Sequence, residues 1–261
     1  MNIWDMLILD PMINILLLIY SVLQNFGLSI ILFTLLIRLI TYPLTYRQFK
    51  SMQAMQELQN SPDFKKMQQK YKDDKQKMQQ EQMKLYQEKG VNPFGSCLPT
   101  LIQFPIIIGL YQAVIRALAV APTQMVDLNS HAYDFINLSR LVLIDKQFLW
   151  MDLSQPERLS IFGFDLFGLG GIPVLAIIVV VTTYLQSKLM TPVSQPGEQG
   201  AGMTQAMNLY MPLFMGYLAF SFASGLAIYF VTSNLATIGQ YAAMGRLNWK
   251  NLIPKRKAKS S

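Results

Sequence analysis

Histidine and cysteine each occur once in this 261-residue chain, and only 14% of its residues are charged. The lone Cys97 excludes a disulfide framework within one chain, and its plainest role is small packing at a helix start. His131, the lone histidine, has no metal-ligand company in the sequence around it. There is no phosphate-binding glycine loop, no zinc helix motif and no Gly-x-Ser-x-Gly elbow. Asp, Glu and His are missing from every long apolar run. That removes the intramembrane base of a hydrolase and the carboxylate relays of many ion-coupled transporters. The start, Met-Asn-Ile-Trp-Asp, lacks the basic region and cleavage site of a secretory signal and the Arg/Ser-rich character of a transit peptide. No internal repeat is visible. The chain is expected to be no enzyme and to carry no cofactor or metal.

What is present is apolar length. Hydrophobic residues make up 52% of the chain and its mean hydropathy is +0.27, against a charged fraction of about 25% in ordinary soluble domains. Runs at 28–46, 95–117, 172–190, 206–222 and 225–243 hold 17 to 23 residues each. Such lengths cross a hydrocarbon core of about 30 Å at about 1.5 Å per residue. The fold class is therefore an all-α integral membrane protein with five transmembrane helices. Met12–Leu23 is only twelve residues before Gln24-Asn25-Phe26-Gly27. Residues 1–27 thus read as an external N-terminus with an interfacial helix.

Orientation follows the basic residues. Ten Lys and Arg lie between Arg47 and Lys89, and six more between Arg246 and Lys259. Residues 118–171 hold Arg140, Lys146 and Arg158 beside six carboxylates. Segments 47–94, 191–205 and 244–261 are then cytosolic, with the N-terminus outside and the C-terminus inside. The net charge of +7 is mostly this topology signal, although basic faces also suit anionic lipid or RNA. Segment 47–94 reads as a helical hairpin. One arm runs to Gln59, a turn follows at Asn60-Ser61-Pro62-Asp63, and the second arm stops at Gly90. Phe64, Tyr71, Met78 and Leu85 form one apolar line on that second arm, laid against Met52, Met55 and Leu58. In the external segment, Phe148-Leu149-Trp150 and Ile161-Phe162 suit interface anchors. The loop 191–205 is rich in Pro and Gly, and 244–261 is a basic tail.

Arg38 stands out. It lies nine residues inside Arg47, roughly 14 Å along a helix, where a guanidinium costs about 2.5–3.5 kcal/mol on insertion scales. It cannot lose its proton, and no carboxylate shares a membrane-length segment with it. Thr34, Arg38 and Thr41 fall on one helix face at 100° per residue. Gln103, Gln186, Tyr229, Asn234 and Thr237 place further polar groups within the other spans. For any one Thr or Asn, an ordinary interhelical hydrogen bond of about 0.6 kcal/mol is an equal explanation. For an intramembrane arginine, a hydrated recess or a visiting anion is required.

Three stretches carry a family resemblance: Leu36-Ile-Arg-Leu-Ile-Thr-Tyr-Pro-Leu-Thr45, Gly90-Val-Asn-Pro-Phe-Gly-Ser-Cys-Leu-Pro-Thr-Leu-Ile-Gln-Phe-Pro105 and Ser224-Gly-Leu-Ala-Ile-Tyr-Phe-Val-Thr-Ser-Asn-Leu235. The chain closely resembles the membrane-protein insertases called YidC in bacteria, Oxa in mitochondria and Alb in chloroplasts. The resemblance implies five core helices around a groove open to cytosol and lipid but closed outside. It implies that Arg38 is the groove arginine, with Thr34 one turn away and Gln103, Tyr229 and Asn234 on bordering helices. It also implies partners: nascent membrane proteins, the ribosome, a targeting receptor or the Sec translocon, and lipid, with no sequence-specific nucleic acid. The large periplasmic domain and signal anchor of many Gram-negative members have no counterpart here, and Phe230 stands where many members have Tyr. The expected function is an insertase in a bacterial cytoplasmic membrane. The rivals are an anion channel or transporter with Arg38 as selectivity element, and a receptor whose basic segments dock ribosomes.

Overall fold

The computed structural model describes residues 3–71, 74–92, 98–118, 131, 133, 144–158, 171–190, 199–245 and 247. The loop 191–198, most of 118–171 and nearly all of the basic tail lie outside them, as do the anchors Ile161-Phe162 and Cys97. The chain divides into two compact units, Met1–Arg38 with Ile107–Ser261, and Leu39–Ile106.

In the first unit, a π-helical turn at Asp5–Leu9 runs directly into α1, Asp10–Leu23. The continuous helix is 19 residues long and apolar enough by length and composition to cross a membrane. It is thus longer than the twelve-residue run seen in the sequence, because Asp5 and Asp10 interrupt the hydropathy without interrupting the helix. Gln24 in the left-handed region (φ 53°) ends α1, and the Asn25 side chain accepts from the Leu28 N–H at 3.0 Å to start α2, Phe26–Ile40.

The expected crossing 28–46 is not one continuous helix. α2 stops at Ile40, and Pro43, which has no N–H, sits in the first turn of α3, Tyr42–Asn60. α6 is Leu98–Ala117. A two-stranded antiparallel hairpin, β1 (Gln147–Phe148) and β2 (Met151–Asp152), turns through Leu149 at φ 58°. Then come α7 (Val174–Met190), α8 (Gln199–Ser221) and α9 (Ser224–Ala243). α8 begins seven residues before the apolar run at 206. α7 packs on both α8 and α9. A Cβ on Gly216 would lie 2.2 Å from Val180 Cγ2, so glycine there permits the close approach of α7 and α8. Leu28, Leu32, Leu35 and Leu39 on α2 remain exposed, as do Ile177, Val181 and Leu185 on α7. Apolar stripes of that extent suit lipid rather than water.

The second unit departs from its expected shape. The second arm is two helices, α4 (Pro62–Lys70) and α5 (Lys75–Glu88), folded against each other. Asp74 caps α5 by accepting from the Lys77 N–H at 3.0 Å, as Ser61 caps α4 by accepting from Phe64. The single line Phe64–Tyr71–Met78–Leu85 is therefore broken. Phe64 stacks instead on Tyr86, with ring centroids 6.3 Å apart, and both join Leu58 in a small core bordered by Met55, Met67 and Leu85. Gln59 and Gln82 donate to the Tyr86 hydroxyl, so a ring with a polar end closes the core.

Candidate functional site

Arg38 occupies the last turn of α2, two residues before its end. The nine-residue depth reckoned from Arg47 assumed one straight helix, so the break at Thr41 removes that measure of depth. What replaces it is contact. Arg38 Nε donates to Ser233 Oγ of α9 at 3.0 Å, and Nη2 also donates to that hydroxyl. Gln240 Nε2 donates to the Arg38 carbonyl at 2.9 Å. This carbonyl is among the last four of α2, which helix geometry leaves short of donors. One residue is thus held by its backbone and its side chain to two turns of the same facing helix.

Tyr229, Ser233, Thr237 and Gln240 recur every three or four residues, so α9 presents them as one stripe. Tyr229, Ser233 and Thr237 are buried, and the Thr237 hydroxyl donates to the Ser233 carbonyl at 2.7 Å. Thr34 is buried one turn before Arg38 and donates to the Ile30 carbonyl at 2.6 Å. Its hydroxyl serves its own helix there. Asn234 points to another neighbour. Its Nδ2 donates to Thr182 and Thr183 of α7 at 3.1 and 2.8 Å, which is the interhelical bond that the sequence allowed for. Gln186 belongs to α7, one turn beyond those threonines.

Among the described residues, Gln186 Oε1 and Gln240 Oε1 are buried with no donor. Each such acceptor costs about 1–3 kcal/mol in a dry interior, so each suits a water or an arriving polar group. Gln103 lies on α6 within the second unit and is partly buried. The structure thus brings Arg38 together with the Tyr229–Thr237 stripe and sets Asn234 on the α7 side. Ser233 and Gln240 are the partners that sequence reasoning missed. Spacing alone could have found them, since both share a face with Tyr229 and Thr237. Among the described residues no cluster of His, Cys, Asp and Glu could hold a metal ion.

Beside the polar site lies an open, largely apolar hollow of about 500 Å³, lined by Ile31 and Leu35 of α2, Leu175 of α7, and Ile228, Val231, Thr232, Leu235 and Ala236 of α9. The same two helices, α2 and α9, therefore carry a polar patch and an apolar trough side by side.

The family described as "60Kd inner membrane protein" matches residues 18–251. A membrane protein insertase YidC of Clostridium perfringens is 38% identical over 226 residues, covering 85% of this chain and 79% of the relative. The insertase MisCA of Bacillus subtilis is 35% identical, covering 91% and 77%. A YidC of Syntrophobacter fumaroxidans is 34% identical, and this chain spans 37% of its length. The crystal structure titled "Active YidC insertase crystal structure with the first transmembrane domain resolved" is similar in fold. Its TM-score is 0.58 at 24% identity, with 93% of this chain and 47% of that chain covered.

Proposed function

The chain belongs to the 60Kd inner membrane protein family, and on that premise we propose that it is a membrane protein insertase that performs no bond chemistry. The observation that carries the reading is the cluster of Arg38, Ser233 and Gln240 beside the apolar hollow. A substrate's short polar tail is held by the guanidinium and the buried amide oxygens, while its apolar helix slides past α7 and α9 into lipid. Polar groups then cross part of the bilayer in a wet recess rather than in hydrocarbon, which shortens the barrier. Burial of the arriving helix drives the reaction at about 25 cal/mol per Å².

The reading places the protein in a bacterial cytoplasmic membrane with five crossings, the N-terminus outside and the C-terminus in the cytosol. Lys and Arg asymmetry supports that orientation. The helix Asp5–Leu23 is assigned to the outer interface. Asp10 and Asn14 bond His131, Asn14 also bonds Tyr133, and Tyr20 bonds Asp145, so α1 meets these three residues over the ten-residue step from Asp10 to Tyr20. That is roughly 15 Å of helix, more than a crossing helix would offer to a segment lying on one side. The basic segments 47–94 and 244–261 are assigned to the ribosome, a targeting receptor or the Sec translocon.

The test is the insertion yield of a small single-span protein in cells carrying Arg38→Ala or Arg38→Lys. Loss with Ala and recovery with Lys assign the role to charge; loss with both assigns it to the planar fork. Unchanged yield with both variants overturns the reading. An anion channel built on Arg38 predicts instead a chloride flux in liposomes that Arg38→Ala abolishes.

A further inference from the structure

Two helix N-termini of the first unit, α7 and α9, end beneath the segment 144–158. Each leaves backbone N–H groups without partners in its own helix, and in a bilayer such groups must be satisfied. The segment supplies the acceptors. The Gln155 carbonyl accepts from Ser224 N at 2.8 Å, the Leu153 carbonyl from Gly225 N at 3.2 Å, and the Asp152 carbonyl from Ser224 Oγ at 2.6 Å. For α7 the acceptor is a side chain. Glu157 Oε2 accepts from Leu175 N at 3.0 Å, while its Oε1 accepts from Trp150 Nε1 at 3.0 Å. Glu157 is only 6% exposed, and a carboxylate at a helix N-terminus is also favoured by the helix dipole.

The same segment fills space. Leu153 is fully buried, and the Phe148 ring sits on Gly27, where a Cβ would lie 2.2 Å from it. Arg158 lies 5.9 Å from the Phe220 ring of α8. One short stretch therefore bonds or packs on the first turn of α2, α7, α8 and α9, and Trp150 and Leu149 on its rim stay exposed.

We propose that residues 144–158 are a plug over the outer ends of these helices, and that Glu157 is its latch, tying the hairpin to the start of α7 so that the recess around Arg38 stays shut to the outside. The proposal rests on the insertase reading and its orientation. Glu157 is a positioning residue: it acts by holding the hairpin and touches no substrate. An insertase with a wet recess needs such a seal, because a recess open at both ends leaks ions.

The experiment places a reporter, Thr34→Cys, in the full chain with Cys97→Ser, in right-side-out membrane vesicles. A membrane-impermeant charged maleimide is added outside. Labelling is slow with Glu157 intact. It rises on the order of ten-fold with Glu157→Ala, the shift that losing a buried hydrogen bond produces. It rises less with Glu157→Gln, which keeps one acceptor oxygen, and with Trp150→Phe. Asp152→Asn leaves it unchanged, since the backbone carbonyl is kept and the amide Oδ1 still accepts from Ser154 N and Oγ. Equal rates for Glu157, Glu157→Gln and Trp150→Phe at equal membrane content overturn the proposal, and these two variants decide the matter if Glu157→Ala does not accumulate. Faster labelling alongside a silent Arg38→Ala keeps the plug and sinks the groove. Loss of insertion with Arg38→Ala alongside flat labelling does the reverse.

Discussion

Ser233 contributes a neutral hydroxyl to Arg38, and that choice of partner has consequences that a carboxylate would not share. A hydroxyl acceptor orients the guanidinium without adding a negative charge beside it. Ser233→Ala removes the acceptor and keeps the volume, so insertion yield is expected to fall, but by less than with Arg38→Ala. Ser233→Asp would supply a resident carboxylate in competition with the substrate, and the yield is expected to fall as far as with Arg38→Ala. Both are read by the same single-span insertion assay, and a yield above wild type for Ser233→Asp would contradict the role given to Arg38's charge. Gly27 offers a separate test of packing. Gly27→Val drives a branched side chain into the Phe148 ring and is expected to cost about 1–3 kcal/mol. Phe148→Ala in the same chain should restore part of the thermal stability measured in detergent.

At the scale of elements, the two units predict different failures. Phe64 is the centre of the small core that joins α3, α4 and α5, and truncating a buried phenylalanine costs about 3–5 kcal/mol. Phe64→Ala is expected to open residues 47–94 to limited proteolysis while α7 to α9 remain protected. The unit has too few buried side chains to absorb that loss. Gly216 tests the other unit. Gly216→Leu separates α8 from α7 and lowers the detergent melting temperature, and Val180→Ala, which removes the clashing methyl, recovers part of it. A melt that ignored Gly216→Leu would mean that the α7–α8 interface contributes little to stability.

For the whole molecule, the orientation argued from Lys and Arg is open to direct measurement. Single cysteines introduced into the Cys97→Ser chain at Gln147 and at Lys84 are expected to label from opposite sides, Gln147 from outside and Lys84 from the cytosol. Labelling of both from one side would invert the function assigned to the plug and to the basic hairpin. The sequence by itself determined the family and the helical membrane class, and it put forward the orientation and Arg38 as expectations. Composition, acid-free runs and an arginine within an apolar run are one-dimensional facts, and a bilayer acts on them without reference to neighbours. The turn at Gln24-Asn25 and the caps at Ser61 and Gly90 were legible for the same local reason.

Tertiary structure alone decided the rest. Hydropathy averages over a window, so it could not see that α2 stops at Ile40 or that the N-terminal helix runs through Asp5 and Asp10. Nor could periodicity show that Phe64 meets Tyr86 across a turn rather than Tyr71 along a line. Ser233 and Glu157 gained their partners from helices 195 and 18 residues away, and no pattern within one helix specifies which donor a distant helix will bring.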